Sequence, residues 1–154
     1  MDKLSYVQNI LTKKKDRKMS VSLQVGEKIF EIGSPLVLHG FFCSMGYHLE
    51  PIGWSSKYPA LMHELYEGRL EAKSIEKAQK ELALIREKLS GFTISEAVFD
   101  MDAGPGEPVE SEQLNSNAQN LAEFFFTEDK KNFLDLLEKA LEAGKKQGEP
   151  VMIC

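Results

Sequence analysis

The chain is short of the features that mark several protein classes. Two cysteines in 154 residues, Cys43 and Cys154, are too few for the disulfide framework of a small secreted domain, and reduced thiols are expected. No apolar run approaches the roughly 20 residues that a helix needs to cross a bilayer. The apolar stretch after Lys3 is brief and no small-residue cleavage site follows it. A signal peptide is therefore not expected, and the cytoplasm is the default compartment. There is no Gly-x-Ser-x-Gly elbow and no glycine-rich phosphate loop, the common signs of a serine hydrolase or a nucleotide-binding enzyme. The largest gap is in charge of one sign: between Leu89 and Asp129 there is no lysine, arginine or histidine.

What is present fits a globular domain. Apolar residues make up 42% and charged residues 28%, and the length suffices for one core. The net charge of −5 is unevenly spread. Residues 1–18 hold six cations against Asp2 and Asp16, about +4, which leaves about −9 on the remainder. A body that acidic is a poor match for nucleic acid, whose phosphates require a basic surface. A basic protein partner suits it better. The cation-free window contains nine acids: Glu96, Asp100, Asp102, Glu107, Glu110, Glu112, Glu123, Glu128 and Asp129. A run of like charge can be no more than a solvated loop. These acids, however, extend from the loop GPGEPVESEQ into a predicted strand and a predicted helix start, which would fix part of the charge in space. Clustered within a Debye length of about 8 Å, such charges act as a patch.

Periodicity supplies the architecture. Residues 1–18 read as a basic extension, either a frayed tail or an added leader before Met19, and 19–154 as one domain. Val21, Leu23 and Val25 alternate, and VGEK predicts a hairpin. Ser34-Pro35 predicts an N-cap and first helical position, opening a helix apolar on nearly every side until Pro51 stops it. Pro59 opens a second helix, closed by Gly68. Ser74 caps a third, with Ile75, Ala78, Leu82, Ile85 and Leu89 as its stripe and Gly91 at its end. EAVFDM and LAEFFFT predict strands. Thr127 caps a last helix with Phe133, Leu136, Leu137, Ala140 and Leu141 inward, and Glu128 and Asp129 at its dipole's positive end. VMIC predicts a terminal strand. The sum is α+β: a single domain with a small mixed sheet, a β-hairpin near the N-terminus and about four helices packed against it.

Reactive constellations are weak. His39 and Cys43 have the i,i+4 spacing of two metal ligands, but their neighbours are large and apolar, and the paired spacings of a zinc site are missing. Asp100 and Asp102 form an Asp-x-Asp pair that, with a histidine, could serve a small metal-dependent hydrolase. No nearby cation would neutralise a phosphate there. The stretch PIGWSSKYP, around the only tryptophan, fits a packed joint between helices, or alternatively a peptide- or ligand-binding corner. No catalytic residue, metal or cofactor is assigned.

Two blocks carry a resemblance. One is MSVSLQVGEKIFEIGSPLVLHGFF, continuing through YHLEPIGWSSKYPALMHELYEGRL; the other is NLAEFFFT followed by NFLDLLEKALEAG. With their ordered series Gly-Ser-Pro, His-x-Phe-Phe, Tyr-His-Leu-Glu, Gly-Trp and Tyr-Pro-x-Leu-Met, they resemble the immunity protein 70 family, bacterial immunity proteins found beside polymorphic toxins. The resemblance runs from Met19 to about Gly144. It implies a cytoplasmic protein that neutralises a cognate toxin domain by binding it, with no catalytic residues; on the charge and hydropathy grounds above, no membrane or nucleic-acid partner is expected. A basic toxin cleft, such as a nuclease's, would suit the acids. The expected interface is Asp100, Asp102, Glu107, Glu110, Glu112, Glu128 and Asp129. Apolar neighbours would supply hot spots within roughly 800 Å² per partner.

Overall fold

The computed structural model describes residues 20–106 and 113–154; residues 1–18, with the extension expected there, lie outside them. The alternating run forms β1 (Val21–Val25), whose Val21, Leu23 and Val25 are fully buried. It turns through Gly26, at φ 58°, into β2 (Lys28–Gly33) as an antiparallel hairpin. Gly26 suits that turn because a side chain is strained at positive φ. Two further strands, β3 (Arg69–Leu70) and β4 (Val151–Ile153), complete a sheet of order β2-β1-β4-β3. The predicted α+β class holds. Among the described residues every pairing is antiparallel, in place of the expected mixed sheet. The terminal strand, placed last in the chain, sits inside the sheet.

The first long helix, α1 (Pro35–Leu49), starts as its sequence predicts: Ser34 Oγ accepts from the Leu36 N–H at 3.2 Å and Pro35 takes the first turn. It is buried along nearly its whole length, as an all-round apolar helix must be. Phe41 meets Phe133 and Phe125 edge-on at 5.2 and 6.2 Å. Pro59 does open a helix, but a short π-helical one, Ala60–Leu65, in which the Tyr66 N–H reaches back five residues to Leu61 O at 3.1 Å.

The amphipathic pair α2 (Ile75–Leu89) and α3 (Phe133–Gln147) turn their predicted stripes to the core. Both expected caps are corrected. Ser74 ends a 3₁₀ turn, Ala72–Ser74, in helical geometry and makes no side-chain cap bond. Thr127 lies too early to cap α3. Asn132 caps it instead, its Oδ1 accepting from Leu134 N at 2.7 Å and Asp135 N at 3.2 Å. Glu128 and Asp129 therefore stand before the helix and not in its first turn; Asp135 occupies that place. Gly148, at φ 66°, closes α3 in the left-handed conformation and sends the chain back into β4. Among the described residues no helix is long and apolar enough to cross a membrane.

Candidate interaction surface

EAVFDM is not a strand, and the reason lies in its neighbour. A 3₁₀ turn, Ile94–Glu96, closed by a Thr93/Glu96 capping box, leads into an irregular segment lying along α1. A helix offers no free backbone ladder, so polar side chains of α1 satisfy the segment's buried backbone groups. His48 Nε2 donates to Glu96 O at 2.6 Å, and His39 Nε2 to Phe99 O at 2.8 Å. Between them Ser44 Oγ accepts from the Val98 N–H at 2.9 Å. Gly40 leaves room for the Phe99 ring, which a Cβ there would overlap, and Gly46 does the same for Trp54. LAEFFFT likewise makes a 3₁₀ turn, Leu121–Glu123, and only isolated bridges at Leu114–Phe125 and Phe126–Asn132.

This packing positions the acids. Asp100 and Asp102 are exposed in the turn after Phe99, where Asp100 Oδ1 accepts from the Asp102 N–H at 2.9 Å. Glu128 is exposed, with its N–H donating to Ile32 O at 2.9 Å, and its Cβ would lie 2.8 Å from a Cβ at Gly33. Gln113 locks that junction by accepting from Ser34 N at 2.7 Å and donating to Ile32 O at 3.0 Å. Phe99 rests on His39 and Gly40, Met101 reaches Gly46 and Gly104 lies against Tyr47, so the segment that carries Asp100 and Asp102 follows α1 toward its last turns, while Glu128 stands at Gly33, just before the first. Asp129 is exposed and bound by the Thr127 hydroxyl, which together with Lys131, 3.7 Å away, holds its carboxyl below the usual range. Among the described residues Asp100, Asp102 and Glu128 join no ion pair. Glu107, Glu110 and Glu112 lie outside the described residues.

Side chains that could react are otherwise engaged. Burial, and secondarily Asp100, pushes the Cys43 thiol up to about 12, far from the thiolate a nucleophile needs. Burial lowers His39 below an ordinary histidine, against the opposing pull of the Phe99 carbonyl and Asp100. His63 is exposed, 3.6 Å from Glu67. Among the described residues no three His, Cys, Asp or Glu side chains group to hold a metal. Trp54 Nε1 donates to Met62 O at 2.7 Å and its ring stands 5.0 Å from Tyr66. This corner is packed as a joint between helices.

Two carboxylates escaped the sequence reading. Glu50, 4% exposed, accepts from the Lys57 N–H at 3.1 Å and the Tyr58 N–H at 2.9 Å. Glu81, 5% exposed, accepts from Ala60 N at 3.1 Å and Leu61 N at 3.0 Å. Together they hold the N–H groups that lead into the π-helical turn, where anions are favoured. Burial raises the Glu81 carboxyl, and the two N–H bonds and Lys77 partly offset it. The signal was there: Glu81 interrupts the apolar stripe of α2 between Ala78 and Leu82.

Among the described residues, then, His39, His48, Cys43, Glu50 and Glu81 are engaged in holding the structure, while Asp100, Asp102 and Glu128 are exposed and pair with no cation. The family model of immunity protein 70 matches residues 23–153, most of the chain, and the protein belongs to that family. No curated protein and no solved structure matches it.

Proposed function

We propose that this immunity protein acts in the cytoplasm by binding a cognate toxin domain and covering its active site with the acidic rim that runs along α1. The observation that carries this reading is the exposure of Asp100, Asp102 and Glu128 without a paired cation among the described residues, on backbone fixed to α1 and β2. Fixed charge of one sign steers an oppositely charged partner and can raise association to about 10⁸ M⁻¹s⁻¹ at low salt. A basic cleft shaped for phosphates, as in a nuclease, is the surface such a rim would fill. Glu107, Glu110 and Glu112 join the proposed interface on sequence grounds, and the binding body is residues 19–154.

Co-expression with the toxin encoded in the adjacent reading frame tests this. Growth should be rescued, and equal killing with and without the protein would overturn the proposal. Separately, reversing Asp100, Asp102 and Glu128 to lysine should slow association and flatten its salt dependence; unchanged kinetics would remove the acidic rim from the interface.

A further inference from the structure

Charge steers, but a tight interface also needs a buried apolar anchor at its centre. Four large apolar side chains stand exposed among the described residues: Ile29, Tyr47, Ile52 and Leu84. Ile52 is the extreme, 91% exposed, on a turn that is anything but loose. The Glu50 carboxylate grips the far side of the turn through the Lys57 and Tyr58 N–H groups. Gly53 N donates to Glu50 O at 3.2 Å, and Ser56 Oγ to Gly53 O at 2.6 Å. Ser55 is held at φ 66°, a left-handed conformation that a serine rarely adopts. An apolar side chain held out on rigid backbone loses little freedom when it is buried by a partner.

Tyr47, 46% exposed, stands on the last turns of α1. Ile52 is five positions further along the chain, so their Cα atoms are at most about 18 Å apart. A standard interface of about 800 Å² per partner is roughly 30 Å across and takes in both. The acidic segment adjoins Tyr47. The Tyr47 hydroxyl would meet a Cβ at Gly104 at 3.0 Å, and Met101 Cε would meet one at Gly46 at 3.4 Å. Asp102 lies between those two contacts in the chain. The cation of this turn, Lys57, is engaged over the Tyr58 ring, 5.8 Å from its centroid.

We infer that Ile52, together with Tyr47, is the apolar anchor of the toxin-binding surface, seated in an apolar socket that basic side chains of the toxin domain surround, with Asp100 and Asp102 as their counter-charges. This rests on the proposed toxin-binding function and says where on the molecule that binding is centred.

The two other exposed apolar residues are internal controls. With the purified toxin domain encoded by the adjacent reading frame, Ile52→Ala and Tyr47→Ala should each weaken Kd by at least about 30-fold, chiefly through faster dissociation. Ile52→Asp should weaken it further. Ile29→Ala and Leu84→Ala should change Kd by less than about threefold. Ile52 is too exposed for its replacement to move Tm, so Ile52→Asp decides the matter even where Tyr47→Ala perturbs the neighbouring turn. Full affinity in Ile52→Asp, while the wild-type protein binds, would overturn this inference alone. So would a dimer of the free chain that Ile52→Asp dissolves, since the patch would then serve self-association. Failure of the wild-type protein to bind would overturn the toxin-neutralising function, and this inference with it.

Discussion

In the corner where α1 gives way to the π-helical turn, Glu50 and Glu81 are almost wholly buried and bonded to backbone N–H groups. On the rim along α1, Asp100, Asp102 and Glu128 are exposed and meet no cation among the described residues. The same functional group thus does opposite work in two regions. Burying a carboxylate costs several kcal/mol unless charge-assisted hydrogen bonds offset it. The corner carboxylates have those bonds, and removing either would strand N–H groups away from water. The rim carboxylates keep their hydration, so their charge remains available to an outside partner.

The contrast fixes the size of each mutational effect. Glu81→Ala and Glu50→Ala should each lower unfolding free energy by about 3 kcal/mol, through two orphaned N–H groups apiece. Asp100→Ala and Asp102→Ala should cost less than about 0.5 kcal/mol. Urea denaturation measures both pairs, and comparable losses would erase the distinction between corner and rim. Next in size, Gly40→Ala should cost about 2 kcal/mol, because the new methyl group displaces Phe99. Limited proteolysis should then cut within residues 96–104, and a variant as stable and as resistant as the wild type would mean that the rim is not anchored on α1.

The smallest effect links the rim to the interior through His39. Its folded-state pKa lies below the ordinary 6.5, so on acidification the unfolded chain binds this proton first. The group's contribution to stability should therefore fall as pH drops below about 6.5 toward the lowered value. Asp100 pulls that pKa back up, so Asp100→Asn should deepen the decline. Unfolding midpoints at pH 7 and pH 5, with His39→Gln as the reference, measure this. An acid sensitivity unchanged in His39→Gln would dismiss it.

Much of the fold is legible where local pattern and tertiary environment agree. The hairpin, the Ser34-Pro35 start of α1, the stripes of α2 and α3, and β4 all follow from period and caps. EAVFDM misleads because its apolar residues pack against a helix and not beside a strand, a fact that no window around residue 97 contains. The clue sits in α1, where His39, Ser44 and His48 recur at five and four residues on an otherwise apolar surface. Thr127 and Asn132 are both good caps. The choice falls to Asn132 because it immediately precedes Phe133, where the buried stripe begins. On the surface, composition marks the acids but not Ile52. An isoleucine between a proline and a glycine reads as turn filling until the tertiary structure shows both flanks of that turn pinned and the side chain in water.

The inner position of β4 has a consequence for biosynthesis. The Cys154 thiol donates to Gln24 Oε1 at 3.1 Å across 130 residues of sequence, and β4 is the strand that joins β1 to β3. On the ribosome the hairpin emerges early with one flank of β1 bare, and it stays so until residues 151–153 arrive. Closure of so distant a loop is slow compared with local helix formation. Nascent α1, α2 and the hairpin must therefore wait as an open assembly. A transcript truncated before β4 would yield a chain with two unmatched strand edges, not a smaller working domain.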